Sequence, residues 1–475
     1  MFNYNKSTKK SKMNSGKIED QFLTALLEKC GAAEQRILVA LSGGPDSVAL
    51  LHLLVATQKL WQGQLFAAHI NHKLRAAAED DALFCSKLCE HLQIPFFTEK
   101  VDVRDFSANE KLSIETAARE LRYETLDRIL REQKCNLLAL GHHADDQAET
   151  TLGNLLRGTG LRGLAGMPYK FGNRIRPLLG LSQNDLLDFL KEQQISYRKD
   201  ESNLDTQFKR NKIRHKLLPY LQQEYNPQIS DALNKLSQIS NHAEDYLVSE
   251  AGKALQAMTI EETEFKIVLD IERFWSYFDI LQKYALRLAI EKLTSNQIRP
   301  NYSDLERIET SLKTNKIGTQ IPLHGKWEAL IDREVIVFRA TTAFNFDMHV
   351  EMDGFAEHKD GWKITATRID SAGIDPRNQA TRFSQFTDNT KIKGRIRVRS
   401  FRKGDFFYPL GLKGKKSISD YFTDRKVALY KRKEIPIVYC DTGIIWIVGH
   451  HLDERFKVTS HTNSIIKFEF KDKNL

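Results

Sequence analysis

With 475 residues the chain exceeds what one compact core accommodates, and its 71 Lys and Arg against 62 Asp and Glu leave a formal net charge of +9, which leans towards a polyanionic partner. The five cysteines, Cys30, Cys85, Cys89, Cys135 and Cys440, are odd in number and contain no C-x-x-C pair, so neither a disulfide framework nor a zinc site is indicated and a reducing cytoplasm is expected. No apolar run approaches the roughly 18 residues that cross a bilayer, and no hydrophobic signal core opens the chain, which predicts a soluble protein with no membrane partner.

Residues 1–20 begin with five lysines and no acid before Ile18, and they lack the apolar residues that offset ordering entropy, so a disordered basic tail is expected. Over residues 21–215, apolar runs at 36–41, 64–70, 95–101, 136–140 and 174–178 alternate with amphipathic stretches near 47–57, 78–91, 113–133, 147–156 and 183–193. That alternation predicts an α/β fold, a doubly wound parallel sheet with helices on both faces and right-handed crossovers. Ligands of such a sheet bind at the carboxyl ends of the strands, near the topological switch point. From 216 to 341 the period lengthens to helical stretches at 230–257, 277–294 and 303–313 and closes on a hairpin-like run, predicting a mostly helical domain. From 342 to 475 the runs are short and strand-like, predicting a β-rich domain.

The loop Ser42, Gly43, Gly44, Pro45, Asp46, Ser47 stands between the first strand and the first helix. Adjacent glycines let the backbone approach a ligand and expose successive N–H groups, and the helix aims its positive end at the same place. This is a phosphate cradle. No Gly-Lys-Ser/Thr follows, so it is not a Walker A loop. A carboxylate inside a phosphate cradle repels the anion unless a Mg²⁺ lies between them, which makes Asp46 the candidate metal ligand. The alternative is an ordinary strand-to-helix turn capped by Ser42 or Asp46.

The loop resembles the S-G-G-x-D-S signature of the N-type ATP pyrophosphatases. Within that superfamily, further segments resemble the tRNA(Ile)-lysidine synthetase family: HINHKLR from His69, ETAARELRY from Glu115, GHHADDQAET from Gly141, RIRPLL from Arg174, DESN from Asp200 with RNKIR from Arg210, and in the tail RVRSFRKGD from Arg397, PLGLKG from Pro409 and DERFK from Asp453. The resemblance covers nearly all of residues 30–470 and is weakest in the middle. Where the family more often has an acidic pair before this Ser-Asn, the chain has Lys199 and Asp200.

The resemblance implies ATP, Mg²⁺, L-lysine and the isoleucine tRNA with a CAU anticodon as ligands, and no protein partner. It implies two steps: O2 of the wobble cytidine attacks the α-phosphorus of ATP, and the ε-amine of free lysine then displaces AMP at C2. Ser42, Gly43, Gly44, Pro45, Asp46, Ser47 and His69 would then bind ATP. Asp146 and Glu149, three apart and on one helical face, with His143, Arg119 and Arg122, would bind or activate lysine; a carboxylate there suits a cationic ligand and the arginines suit a carboxylate or phosphate. Asp46, Asp146 and Arg214 are the expected catalytic residues, with Asn211 carried along and Arg210 a weaker candidate. First-turn dipole compensation is the bland reading of Asp145 and Asp146, and a solvated helix face that of the arginines.

The glycine-punctuated run after Asn154 carries Arg157 and Arg162 and is expected to close over the cytidine or merely to connect. Residues 391–440 hold fifteen Lys and Arg against four Asp and Glu, so Lys413, Lys415, Lys416 and Arg425 are expected on a tRNA-binding face. The interleaved aromatics are expected in the core. Three alternatives stand beside this reading: a tRNA 2-thiolation enzyme, which needs cysteines at a spacing absent here, a glutamine-dependent amide ligase, which needs an amidotransferase domain that the sequence does not show, and a silent RNA-binding protein, against which Ser42, Asp46, Asp146 and Glu149 stand.

Overall fold

The computed structural model describes residues 16–73, 78–198, 209–314, 316–341, 345–359, 361–370, 375–412 and 414–472. The chain divides into two compact units, Met1–Tyr246 and Leu247–Leu475. Among the described residues no helix is long and apolar enough to cross a membrane.

The first unit is built on strands β1 (Arg36–Ala40), β2 (Gln64–Asn71), β3 (Phe96–Lys100), β4 (Leu137–Ala139), β5 (Lys170–Phe171) and β6 (Arg174–Ile175), in the order β3-β2-β1-β4-β6-β5. All neighbours are parallel except β5, which turns back antiparallel on β6. Five helices matter to the site: α1 (Pro45–Ala56), α2 (Ala78–His91), α3 (Ile114–Glu132), α4 (Ala144–Leu155) and α5 (Gln183–Glu192). The run Ile37-Leu-Val39 shows why both faces are covered. Ile37 and Val39 enter one core with α1, α2 and α5, through residues such as Leu50, Cys85 and Phe189. Leu38 points the other way, into a core with Leu126, Ile129 and Leu130 of α3. A strand buried on both faces has no polar alternation to show, and each such side chain contributes about 1.5–3 kcal/mol. From β1 the chain winds outward through β2 to β3 and returns to β4 on the other side, so the switch point lies between β1 and β4.

The disordered tail expected over residues 1–20 is contradicted at its end, where residues 16–20 belong to a helix. Residues 16–24 are helical, and Ile18, Phe22 and Leu26 are buried in the first core. Their spacing of four puts them on one stripe, whose burial offsets the cost of ordering the helix; residues 1–15 lie outside the described residues.

In the second unit the expected helices appear as Ile229–Met258, which begins in the first unit, Asp279–Leu293 and Tyr302–Lys313. The hairpin at their end, Trp327–Asp332 with Val335–Ala340, belongs to a five-stranded antiparallel sheet completed by Gln320–Pro322, Lys266–Asp270 and Thr259–Thr263. The last two strands were masked in the sequence by the acids of Thr259–Thr263, which face solvent in part. The remainder forms two four-stranded sheets, sharing a core that includes Val398, Val438, Trp446, Ile364 and Phe468, and a two-stranded pair of Phe406–Phe407 with Lys416–Ser417. Phe407, Tyr421 and Phe422 are core residues with Phe401 packed against them, as expected of the basic segment's aromatics, whereas Phe406 departs from that expectation and is 40% exposed.

Lys266 is only 2% exposed, and its ammonium lies 2.8 Å from Glu261 and 2.6 Å from Glu434. Burial pushes the Glu434 carboxyl up, against the pull of Lys266. Lys266→Met should therefore destabilise the chain by about 1–2 kcal/mol, since it leaves the part-buried Glu434 and Glu261 carboxylates without their cation. In the variant Glu434 takes up a proton on folding, so the deficit should be small at acid pH and grow as pH rises through the raised folded-state pKa. Urea unfolding at a series of pH values measures both.

Candidate active site

The loop after β1 and the loop after β4 meet at the switch point. Gly43 has φ +85°, a conformation that an L side chain rarely adopts. Ser47 Oγ lies 3.0 Å from Ser42 Oγ, accepts from the Ser42 N–H at 3.2 Å and donates to the Gly44 carbonyl at 3.0 Å. The Gly43 carbonyl accepts from the Arg198 N–H at 2.9 Å. These bonds fix the loop from within and from behind. No side chain caps the N-terminus of α1, so the first-turn N–H groups remain for an anion.

His69 is buried beneath the loop, its Nδ1 2.9 Å from the Leu41 carbonyl. It supports the strand end that carries the cradle.

The second loop starts α4 with a reciprocal cap: Asp146 Oδ2 accepts from the His143 N–H at 3.0 Å, and His143 Nδ1 faces the Asp145 N–H at 3.3 Å. The H-x-x-D spacing could have located this start, three residues before the predicted one. His143 Nε2 then lies 3.7 Å from Asp46 Oδ2 and 3.5 Å from Asp146 Oδ2, while Nδ1 lies 3.4 Å from Asp145 Oδ2. The neutral ring accepts from the Asp145 N–H; the protonated ring donates to its carboxylate. Burial disfavours the imidazolium, but the three carboxylates outweigh it and raise the His143 pKa.

Asp146 and Glu149 are both buried. Arg210 donates to Asp146 Oδ1 at 2.7 Å and to Glu149 Oε2 at 3.0 Å. Arg214 donates to the same Asp146 oxygen at 2.6 Å and to Glu149 Oε1. Burial alone would raise the Asp146 pKa; His143, Arg210 and Arg214 hold it below its ordinary value. Arg210, the weaker expectation, thus shares both carboxylates with Arg214. Its signal was the i,i+4 spacing of the two arginines opposite the i,i+3 spacing of the acids. Arg214 sits in a widened helical turn, Ile213–Leu217, a geometry common at functional sites. Lys199, Asp200 and the DESN segment lie outside the described residues, and Asn211 is partly exposed.

Asp46 stands apart from this lattice. Its Oδ1 is buried without a hydrogen-bond partner, as is His143 Nε2. Burial raises the Asp46 pKa, with His143 pulling it down and Asp146 adding to the rise. An orphaned carboxylate oxygen beside an uncapped helix fits a Mg²⁺ ligand, whereas both oxygens of Asp146 are already engaged.

Arg119 and Arg122 lie on α3, with Arg119, Arg122 and Arg174 placed 5.6, 5.0 and 4.2 Å from the centre of the Tyr123 ring. Asp127 pairs with Arg174 at 2.9 Å. Burial, together with Arg176, Arg210 and Arg122, pushes His142 down to about 3, against Asp146. His142 is therefore neutral, and Arg122 is close enough to the second loop to act on it electrostatically. Arg176 stands in the RIRPLL segment, which by itself assigns it no role, and Arg198 reaches the loop through its backbone N–H, for which no side-chain signal exists.

Arg157 and Arg162 are exposed, and Arg157 donates to Asn154 Oδ1. In the second unit Lys415 lies 3.4 Å over the Phe406 ring, Lys416 pairs with Asp424 at 2.5 Å, and Arg425 lies 3.2 Å from His451 Nε2. Lys413 lies outside the described residues.

A PP-loop domain model matches residues 15–221, and a TilS substrate C-terminal domain model matches residues 395–468. A tRNA(Ile)-lysidine synthase of Clostridioides difficile is 34% identical over 445 residues, covering 92% of this chain and 95% of the relative. One from Porphyromonas gingivalis is 33% identical, with 92% and 94% covered.

Because Arg210 is half of the clamp on two buried carboxylates, Arg210→Ala should cost about 1–2 kcal/mol, discounted for the arginine's partial exposure. The loss should appear as a lower urea midpoint with an unchanged m-value.

Proposed function

The chain belongs to the tRNA(Ile)-lysidine synthase family, and from that premise we propose that it joins free L-lysine to C2 of the wobble cytidine in the CAU-anticodon isoleucine tRNA. ATP is cleaved to AMP and pyrophosphate, lysidine is the product, and decoding moves from AUG to AUA. The observation that carries this reading is the meeting of an uncapped phosphate cradle with a buried carboxylate pair, joined through His143.

In the first step the N–H groups of the Ser42–Ser47 loop would hold ATP phosphates, and preorganised donors of this kind stabilise charge as it develops. Asp46 would hold Mg²⁺, which when bound neutralises phosphate charge. In the second step the lysine ammonium would take up Asp146 and Glu149, exchanging with the guanidinium groups of Arg210 and Arg214. Asp146, held ionised by its neighbours, is a better ammonium ligand than base, so free amine is supplied increasingly as pH rises. Arg119 and Arg122 offer the positive charge for the lysine carboxylate. Arg157, Arg162, Lys413, Lys415, Lys416 and Arg425 would contact tRNA phosphates.

A thiolation reading gains nothing. The five cysteines are free and buried, and burial pushes Cys30 up to about 11 and Cys85 and Cys89 up to about 12, which suppresses the thiolate such chemistry needs. We place the reaction in the cytoplasm on the same cysteine usage.

Incubating the chain with ATP, Mg²⁺, lysine and the CAU-anticodon tRNA should add one lysine at the wobble cytidine, seen by nuclease digestion and mass spectrometry; an unmodified cytidine rejects the reading. Asp46→Ala should lose adenylation while keeping tRNA affinity. Asp146→Asn should release pyrophosphate yet accumulate adenylated tRNA, because the lysine ammonium loses an ionic ligand worth about tenfold or more in lysine affinity. Single-turnover analysis with labelled ATP separates the steps, and absence of pyrophosphate from Asp146→Asn would move Asp146 to the first.

A further inference from the structure

Between Asp146 and Glu149 on α4 stands Gln147, a buried side chain to which the reaction assigns nothing. Its Oε1 accepts from the Met167 N–H at 2.8 Å, and its Nε2 donates to the Met167 carbonyl at 3.0 Å. The amide thus pairs with one residue's backbone as a neighbouring strand would. Nε2 also lies 2.8 Å from Ser237 Oγ and 3.2 Å from the Ala165 carbonyl. The amide has two hydrogens, and the Ser237 hydroxyl, itself buried, donates to the Ala165 carbonyl at 2.7 Å. Every polar atom of the cycle is thereby served. A second clip lies two helical turns on, where Asn154 Nδ2 donates to the Gly163 carbonyl at 2.6 Å.

Together the clips fold the segment after α4 back along the helix. Gly166 passes over the amide with φ +66°, and a Cβ there would come within 2.8 Å of it, so only glycine fits. Arg157 and Arg162 remain exposed in the loop that the Asn154–Gly163 clip closes, and the Gln147 clip holds the base of that loop against α4.

We propose that Gln147 is a positioning residue for tRNA. It holds the segment bearing Arg157 and Arg162 in register with the carboxylates beside it on α4. A buried amide that satisfies a backbone on three sides is costly to lose, because each deserted donor or acceptor keeps its desolvation penalty. The inference rests on the lysidine-forming reading only in taking that tRNA as the ligand of the two arginines.

The test compares wild type with Gln147→Ala and the milder Ser237→Ala. Three readouts are used: trypsin cleavage after Arg157 and Arg162, affinity for the CAU-anticodon tRNA, and affinity for ATP. Gln147→Ala should be cut several-fold faster there and bind tRNA about tenfold more weakly, with ATP affinity within about twofold of wild type. Ser237→Ala should move the first two readouts the same way by less. Unchanged cleavage overturns the anchor, and unchanged tRNA affinity overturns the positioning role. A parallel loss of ATP affinity overturns it too, since that marks general loosening of the fold. The tryptic readout needs no catalysis, so a chain that made no lysidine would overturn the proposed function while faster cleavage of Gln147→Ala still supported the anchor.

Discussion

Two carboxylates buried one helical turn apart are the constraint around which the first unit is arranged. Asp146 and Glu149 could not be buried in that position without cationic partners, because an uncompensated buried charge costs several kcal/mol. Their partners come from a distant part of the chain, Arg210 and Arg214, and from the His143 backbone. The arrangement fixes where α4 begins and where the helical segment from Lys209 must pack. Ala148 and Leu152, on the adjoining face of α4, seal that segment through Leu218 and Leu233. Apolar burial holds the elements together, and the ion lattice sets their angular register.

The same pairing suits the proposed chemistry. A site satisfied by guanidinium is one that an ammonium can enter by exchange, without either state leaving buried carboxylates bare. His143 links this lattice to Asp46 in the cradle, so the proposed phosphate and lysine sites would share one titratable ring. Helix α4 therefore presents one face to arginines, one to an apolar core and one to the glycine-rich segment that Gln147 and Asn154 hold.

The basic segment of the second unit follows another logic. Its charges are partly engaged at home, Lys415 over an aromatic ring and Lys416 with Asp424. Such contacts restrain long side chains at little net cost in the free protein, which lowers the entropy lost when they meet a polyanion.

Local sequence determined the parts whose physics is local. The buried runs and helical periods gave the doubly wound sheet over the first two hundred residues, and the loop from Ser42 to Ser47 declared its cradle because two glycines before a helix leave N–H groups free. Spacing also put Asp146 and Glu149 on one face. The five-stranded sheet in the second unit escaped, since Thr259–Thr263 carries acids where a strand is expected to alternate, and so did the helix over residues 16–24, hidden beside a lysine-rich tail. Only the tertiary structure decided that Arg210 stands equal to Arg214, that His69 supports the cradle from beneath, that Arg198 serves through its backbone, and that Gln147 and Ser237, ninety residues apart, complete one cycle. Each of these is a pairing between separate segments, and a single sequence encodes the partners without their distance.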